Sequence, residues 1–323
     1  MPKDNEEHDF SNDDMRIYAI QPTIKPIKLK RAVNPILPKL PTSIFFCCGS
    51  GHGKTSLITN FCFRNEFWGG IFESILYISP TVLTDNSSQP FLDESMEDIV
   101  EIRTDAENMD SIIDQYIHWL KENFDSQDKE KPDPPVNLII ADDISGYLRR
   151  TGTVTGLITK NRHTFTSLFV SNQTLRDVPR PIRTLCKCII LSRCTNDTEV
   201  KAILEEYGGQ FIGGQNQMLE VWRYATKTKY NYLMINMSNE TDVHIYKIGS
   251  EGMFEIHDVA ANTAQNHDMN ADAPEEFSED EHDPLKEQKE LYCETCNQEF
   301  GTPDRLTRHK MTKKHKKKTG EIM

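Results

Sequence analysis

The sequence predicts an α/β fold with a mainly parallel sheet, followed by a small ββα module at the C-terminus. Two observations predict the large domain: short apolar runs alternate with segments of helical period, and a glycine-rich turn joins the first run to a helix. A third observation, two cysteines followed by two histidines near the end of the chain, predicts the small module. Buried strands that alternate with helices typically form a parallel sheet with both faces covered.

The first predicted strand is the apolar run Ile44–Cys48, which ends at the glycine-rich sequence Gly49–Thr55. A segment of helical period follows, and its apolar face consists of Leu57, Ile58, Phe61 and Cys62. A strand, a glycine-rich turn, a Lys-Thr pair and a helix, in this order, are the context of a phosphate-binding loop. The sequence therefore predicts a nucleotide site at this turn.

Each residue type of this turn has a role in binding phosphates. The candidate nucleotide-binding residues are Gly49, Ser50, Gly51, His52, Gly53, Lys54, Thr55 and Ser56. Glycines let backbone N–H groups converge on the phosphates of ATP at the positive end of a helix. Lys54 is predicted to reach the β- and γ-phosphates, and the Thr55 hydroxyl to bind Mg²⁺. Cys48 stands where the pattern G-x-x-x-x-G-K-[ST] has its first glycine, and we expect this small side chain to be tolerated beside Gly49.

The next predicted elements are a strand, a helix and a loop. Ile75–Ile78 is an apolar run followed by Pro80, which indicates a second buried strand, whereas residues 81–100 have no clear pattern. Apolar residues recur every three or four positions from Met109 to Leu120, which predicts an amphipathic helix. Lys121–Pro135 is rich in Asp, Lys, Glu and Pro and is predicted to be a solvated loop.

Two carboxylates directly follow the predicted strand Val136–Ala141. An apolar strand that ends in paired acids is the expected second half of a nucleotide site. We assign Asp142 to the Mg²⁺ shell and Asp143 to the polarisation of the attacking water.

A polar amide ends the next strand along the chain. The predicted strand Ser167–Val170 runs into Ser171–Gln173, so Gln173 is placed to sense the γ-phosphate or to orient water. The other predicted elements are a helical stretch near Val154–Lys160, a strand Cys188–Leu191, a helix Asp197–Tyr207 with its C-cap at Gly208-Gly209, and closing strands Tyr232–Ile235 and Val243–Tyr246.

Composition narrows the class of protein. The 323 residues include 37 Lys and Arg against 50 Asp and Glu, a formal net charge of −13. No apolar run is long enough to cross a bilayer and the N-terminus does not resemble a signal peptide, so we expect a soluble intracellular protein without a membrane span. Six of the eight cysteines lie in apolar strand-like or helical settings and are predicted to be core residues rather than a disulfide framework.

The charge and proline pattern divides the chain into four parts. Residues 1–38 are polar, then Pro-rich and basic, and are predicted to be a disordered arm. Residues 39–256 form the α/β domain. Residues 257–290 are predicted to be an acidic disordered linker, because eight acidic residues and no Lys or Arg lie between Asp268 and Asp283. Residues 291–318 form the C-terminal module and its basic tail.

The C-terminal module has the ligand spacing of a C₂H₂ zinc finger. Cys293 and Cys296 are two residues apart, His309 follows after twelve more, and His315 after another five. Two thiolates and two imidazoles would bind Zn²⁺ tetrahedrally. The helix and tail carry basic residues without an acid, which favours contact with phosphates: Arg305, Arg308, Lys310, Lys313, Lys314, Lys316, Lys317 and Lys318. The same basic run is also typical of a nuclear-targeting patch.

The motifs at Phe46–Thr55, Leu138–Asp143, Arg162-His163 and Ser171–Gln173 resemble those of the genome-packaging ATPases of large and mid-sized eukaryotic DNA viruses. That group includes the poxvirus type and its relatives in virophages and polinton-type elements, a branch of the FtsK/HerA-like P-loop motors. The resemblance covers roughly residues 40–250 and implies a RecA-like ASCE core. It also implies assembly into a homo-oligomeric ring, ATP-driven translocation of double-stranded DNA, and a capsid or portal-type partner protein.

By this resemblance, Lys54 and Thr55 match the Walker A pair and Asp142 matches the Walker B acid. Asp143 takes the place of the catalytic acid, which is usually Glu in cellular relatives, and Gln173 matches the polar sensor. Ring motors complete each site with an arginine from the neighbouring subunit. Arg162 is the first candidate for that arginine, and Arg183 is the second.

Two other functions remain open from the sequence. The same core serves helicases and conjugation-like motors of mobile elements. A nucleic-acid-binding regulator whose phosphate loop does not hydrolyse ATP is favoured by Cys48 and by the shorter Asp143, and disfavoured by the intact Lys54-Thr55 pair and Gln173. For a packaging motor we expect a location in the host cytoplasm, in a nuclear viral factory or in the virion.

Overall fold

The computed structural model of the chain describes residues 27, 29–124, 130–132, 135–238 and 242–261, together with the backbone of residues 292–293 and 298–299. The larger part contains six α-helices and nine strands among these residues. The strands are β1 (Ser43–Cys47), β2 (Ser74–Ile78), β3 (Val100–Arg103), β4 (Asn137–Asp142), β5 (Thr166–Asn172), β6 (Cys188–Leu191), β7 (Tyr232–Asn236), β8 (His244–Gly249) and β9 (Gly252–Glu255). The helices are α1 (Lys54–Phe63), α2 (Met109–Asn123), α3 (Thr153–Thr164), α4 (Arg180–Leu185), α5 (Asp197–Tyr207) and α6 (Gly214–Ala225).

The nine strands form one sheet in the order β3-β2-β4-β5-β1-β6-β7-β8-β9. Every pairing from β3 to β6 is parallel, and the three pairings from β6 to β9 are antiparallel. The prediction of an α/β fold with a mainly parallel sheet is therefore confirmed. The parallel half brings the carboxyl ends of β1, β4, β5 and β6 to the same edge of the sheet, where ligands bind in open α/β sheets.

Alternation along the strands separates two apolar layers. Residues such as Phe45, Ile139 and Leu168 pack on one face under α2 to α6. Their neighbours Phe46 and Phe169 pack on the other face under α1 and an aromatic segment that includes Trp68. Because adjacent side chains of a strand point to opposite faces, continuous apolar runs are needed where both faces are covered.

Four elements were not predicted from the sequence. The edge strand β3 has the polar sequence Val-Glu-Ile-Arg and lies at the end of the stretch without a clear pattern. Both α4 and β9 are short, and β9 is mostly exposed. The helix α6 begins at Gly214 with Gly-Gln-Asn-Gln and has no side-chain cap, so it lacks the usual start signal.

The predicted end of α5 is correct in position but differs in conformation. Gly208 has φ −58°, a right-handed helical value, and the chain continues into a 3₁₀ turn over Gly208–Gln210. A Cβ on Gly208 would lie 2.7 Å from Cγ of Gln215, so the glycine permits close approach of α6 rather than a left-handed cap.

After β9 the chain remains bound to the α/β domain as far as Ala261. The N–H of Ala261 donates to the carbonyl of Gln210 at 2.9 Å, and the N–H of Ile212 donates to Val259 at 3.2 Å. None of the helices in the described ranges is both long and apolar enough to cross a membrane.

In the smaller unit only two short strands are described. Tyr292–Cys293 pairs antiparallel with Gln298–Glu299. The zinc-ligand predictions concern the side chains of Cys293, Cys296, His309 and His315, which lie outside the described part. The predicted arm, the acidic linker and the division into four domains also stay predictions.

Candidate functional site

The phosphate loop is a rigid turn between β1 and α1. Gly51 and Gly53 have φ values of 71° and 75°, a left-handed conformation that favours glycine. The N–H of His52 donates to the carbonyl of Gly49 at 3.3 Å and closes the turn. The side chains of Ser50 and Ser56 are exposed, and the Ser56 hydroxyl contacts that of Ser87 at 3.0 Å. The loop thus has the backbone form that a phosphate cradle requires.

Cys48 belongs to the core beneath this loop rather than to its surface. Its side chain is completely buried, its N–H donates to the carbonyl of Asn172 at 3.0 Å, and burial raises the pKa of its thiol to about 12. The turn itself starts one residue later, where the N–H of Gly49 donates to the Ser192 hydroxyl at 3.2 Å. The departure from the phosphate-loop pattern is therefore accommodated.

Lys54, Asp142 and Asp143 come together at the carboxyl edge of the sheet. The Lys54 ammonium lies 3.2 Å from Oδ1 of Asp142 and in direct contact with Oδ1 of Asp143. Lys54 and Asp142 are buried, whereas 28% of the Asp143 side chain is exposed. From the sequence, it was a hypothesis that these three residues belong to one site. In the structure their side chains lie in one cluster.

Asp143 reaches this cluster through an unusual backbone conformation. Its φ is 54°, in the left-handed region that Asp tolerates better than most residues. Its N–H donates to the carbonyl of Ser171 at 3.2 Å. This bond to β5 fixes the turn after β4, so the Asp143 carboxylate is directed at the phosphate loop.

The Asp142 carboxylate is surrounded by hydroxyl donors. Oδ2 accepts from Thr55 at 3.3 Å and from Tyr77 at 3.0 Å, and Oδ1 accepts from Ser171. Burial, followed by the neighbouring Asp142 charge, raises the pKa of Tyr77 well above its ordinary value, so Tyr77 remains a neutral donor. The sequence did not single out Tyr77, because its role depends on β2 lying beside β4.

The Thr55 and Asp142 oxygens fit the chemistry of Mg²⁺. A hydroxyl and a carboxylate oxygen lie within 3.3 Å of each other, and Mg²⁺ prefers such hard oxygen ligands. Thr55 and Asp142 are the residues that would hold the ion. Bound there, Mg²⁺ would neutralise charge on the β- and γ-phosphates.

The predicted sensor Gln173 lies on the loop after β5, with its side chain exposed. The preceding Asn172 is buried and donates to the carbonyl of Thr174 at 2.8 Å. Glu199 of α5, also buried, accepts the N–H of Leu175 and holds this loop from the other side. The role of Gln173 stays a prediction, but its loop has a defined position beside Asp143.

The two candidate arginines lie away from the phosphate loop of their own subunit. Arg162 is exposed in the last turn of α3, which runs about 18 Å from the end of β4 back to the start of β5. Arg183 is only 14% exposed and pairs with Glu206 of α5 at 3.1 Å. Of these two candidates, Arg162 therefore has the exposed side chain, and the role of each stays a prediction.

The fold and this cluster define a nucleotide-binding protein of the P-loop ATPase class. The chain belongs to the family described as Poxvirus A32 protein, whose profile matches residues 33–247. This membership confirms the resemblance to viral genome-packaging ATPases predicted from the sequence motifs. The match covers the phosphate loop, both aspartates and the sheet as far as β8.

Several solved structures have a similar fold at low sequence identity. The DNA-packaging ATPase B204 from Sulfolobus turreted icosahedral virus is 15% identical, with 64% of this chain and 97% of that chain covered at a TM-score of 0.47. B204 from Sulfolobus turreted icosahedral virus 2 in complex with ATP-gammaS is 14% identical, with 63% and 95% covered at 0.44. EssC (ATPases 2 and 3) from Geobacillus thermodenitrificans is 10% identical, with 58% and 42% covered at 0.40. No curated protein sequence matches the chain.

Proposed function

We propose that the chain is an ATP-driven motor that moves double-stranded DNA into a viral or virus-like capsid. The observation that carries the proposal is the contact of Lys54 with both Asp142 and Asp143 beside Thr55. The cluster contains the residues predicted to bind the phosphates, to hold the metal and to activate water, and family membership supports their use in genome packaging.

Each residue of the cluster has a chemical role in hydrolysis. The loop N–H groups and Lys54 would bind the phosphates, and Thr55 and Asp142 would hold Mg²⁺. The partly exposed Asp143 carboxylate accepts the proton as water attacks the γ-phosphorus and the bond to the β-phosphate oxygen breaks. Since phosphoryl transfer depends on positioning and charge, the hydrogen bonds that fix Asp142 also contribute to the rate.

ATP turnover tests this proposal. Hydrolysis is measured with and without double-stranded DNA for the wild type, Lys54→Ala and Asp143→Asn. We expect DNA-stimulated turnover in the wild type and its loss in both variants. Asp142→Asn should lose turnover as well, because it removes a carboxylate oxygen that would hold Mg²⁺. Binding of ATP by the wild type without any turnover would contradict the motor and favour the regulator.

An exposed basic loop directly after the acids is suited to contact DNA. Tyr147, Arg149 and Arg150 are exposed in the segment between β4 and α3. Exposed arginines attract backbone phosphates, and each phosphate contact adds about 0.9 to the slope of log K against log salt concentration. The segment begins with Asp143, so the loop that would contact DNA is continuous in the chain with the catalytic acid.

Salt-dependent binding tests the role of this loop. We expect the Arg149→Ala/Arg150→Ala variant to bind DNA more weakly and with a salt slope reduced by about two. The matched control is Lys121→Ala/Lys160→Ala, which removes two exposed charges from α2 and α3. An equal loss in both double variants would show that only net charge matters.

The remaining partners belong to the same proposal. A ring of identical subunits, completed by Arg162, would appear as a defined oligomer in sedimentation with ATP. A mixture of wild-type and Arg162→Ala subunits should lose activity faster than the variant fraction rises.

Zn²⁺ held by Cys293, Cys296, His309 and His315 would be seen by elemental analysis and lost in Cys296→Ser. We place the motor in the host cytoplasm, a nuclear viral factory or the virion, with a capsid or portal-type partner.

A further inference from the structure

Tyr230, in the turn between α6 and β7, has a strained backbone and an exposed ring. Its φ is 66°, and 52% of the residue is exposed to solvent. A bulky aromatic residue is rare in the left-handed region, and such strain concentrates at functional sites. The strained backbone of this exposed tyrosine therefore indicates a functional role.

The ring of Tyr230 lies against the phosphate loop. A Cβ added to Gly53 would be 3.0 Å from Cδ1 and 3.5 Å from Cε1 of this ring. Gly53 directly precedes Lys54, so the edge of the ring is next to the backbone that would bind the phosphates. The Lys229 ammonium lies over one face of the ring, 4.8 Å from its centre, and adds a positive charge there.

The turn that carries Tyr230 is anchored on both sides. The N–H of Asn231 donates to the carbonyl of Thr228 at 3.2 Å, and the buried Asn231 side chain packs on Gly249, where a Cβ would be only 2.1 Å from it. The Tyr232 hydroxyl donates to the carbonyl of His52 at 2.5 Å. These contacts fix the ring of Tyr230 relative to the loop.

The sheet order indicates which end of a nucleotide would meet this ring. Asp142 and Asp143 mark the γ-phosphate end of the site and follow β4, two strands from β1 on one side. Tyr230 precedes β7, two strands from β1 on the other side. If the terminal phosphate of a nucleotide lies beside Asp142 and Asp143, its ribose and base would extend from the phosphate loop towards Tyr230.

We propose that Tyr230 is the nucleobase-binding residue of the site and that a purine base stacks on its exposed ring. The inference rests on the proposed nucleotide-binding function and adds the subsite for the nucleoside. Base–aromatic stacking uses the π face that every base has, so it supplies affinity without reading the base edge. Tyr230 should therefore favour purine over pyrimidine nucleotides and discriminate weakly between ATP and GTP.

The test compares a nucleotide with the same phosphates lacking a nucleoside. Equilibrium binding of AMPPNP and of inorganic tripolyphosphate is measured on the full chain for the wild type, Tyr230→Ala and Tyr230→Phe. We expect Tyr230→Ala to bind AMPPNP about tenfold more weakly and tripolyphosphate unchanged within twofold. Tyr230→Phe keeps the ring and should bind both as the wild type does.

Tyr224 provides the matched control. It is 62% exposed on α6, and its ring has the Lys247 ammonium 5.7 Å from its centre. Tyr224→Ala therefore removes a similar exposed aromatic beside a lysine, and it should leave both affinities unchanged. Tyr230→Gly, which adopts a φ of 66° without strain, repeats the test if the alanine variant does not fold.

Three results would overturn the inference. Equal weakening of AMPPNP and tripolyphosphate would show that Tyr230 only shapes the phosphate loop. Unchanged AMPPNP binding in Tyr230→Ala, or the same loss in Tyr224→Ala, would exclude stacking at this position. These binding measurements do not depend on ATP hydrolysis. A wild type that binds AMPPNP but does not hydrolyse ATP would therefore contradict the proposed motor function without contradicting the nucleobase subsite at Tyr230.

Discussion

Gly53→Ala should destabilise the free protein more than Gly51→Ala, although both glycines have nearly the same backbone conformation. At Gly51 a new Cβ meets no atom within 4 Å, so the cost is the left-handed strain alone, about 1–2 kcal/mol. At Gly53 the Cβ would lie 2.9 Å from the Tyr232 hydroxyl and 3.0 Å from Tyr230. Displacement of Tyr232 would also remove its hydrogen bond to His52, worth about 0.5–1.5 kcal/mol.

The expected loss of unfolding free energy is therefore about 2–3 kcal/mol for Gly53→Ala, against about 1–2 kcal/mol for Gly51→Ala. Guanidinium unfolding without nucleotide, followed by the fluorescence of the buried Trp68 and Trp222, measures both. In a Tyr232→Phe background the extra cost of Gly53→Ala should shrink by about 1 kcal/mol, because the hydroxyl that is displaced is absent. Equal losses for the two glycine variants would refute the steric argument.

Three more predictions concern other parts of the domain. Glu206→Gln should destabilise the fold by about 3 kcal/mol, because it leaves the mostly buried Arg183 guanidinium without its partner. Arg183→Met should cost less, because Arg180 still lies 4.0 Å from Glu206, and turnover per folded molecule should persist in both variants. Alkylation at pH 8, mapped by mass spectrometry, should label the half-buried Cys194 well before Cys48, because the raised pKa of about 12 leaves only about one thiolate in ten thousand at Cys48. Tyr77→Phe removes a hydrogen bond to the buried Asp142 carboxylate, so it should cost about 1 kcal/mol of stability and raise the Mg²⁺ concentration needed for half-maximal turnover.

Each of these has a contrary outcome. Loss of turnover in Arg183→Met with unchanged stability would make Arg183 the arginine that acts on a neighbouring subunit. Equal labelling of the two cysteines would show that the phosphate loop opens to solvent. If Tyr77→Phe needs the same Mg²⁺ concentration for half-maximal turnover as the wild type, Tyr77 contributes to packing but not to metal binding.

The phosphate loop and its acids were predictable because each is a local pattern. The run Ile44–Cys48, the glycines and the Lys54-Thr55 pair are contiguous, and Asp142 and Asp143 end an unmistakably buried strand. Family membership confirmed the class that these motifs indicated.

Two other side chains of the site, Tyr77 and Ser192, were not predictable, because their positions depend on strand order. Tyr77 reaches Asp142 only because β2 pairs with β4, and Ser192 reaches Gly49 only because β6 lies beside β1. The sequence around Tyr77 or Ser192 does not indicate which strands lie side by side. For α6 a signal was present, since Met218, Val221, Trp222 and Ala225 recur at helical spacing and are all buried.

The contact of one lysine with two aspartates gives this cluster one more negative group than positive groups. Lys54 contributes one positive charge, and Asp142 and Asp143 contribute two negative ones. A polyphosphate that binds the Lys54 ammonium would leave both carboxylates without a cation. A divalent cation could then take the place of the ammonium beside them. If Mg²⁺ binds at Thr55 and Asp142 as proposed, nucleotide and metal would strengthen each other's binding by the same factor. Binding of ATP should then weaken when Mg²⁺ is removed with a chelator.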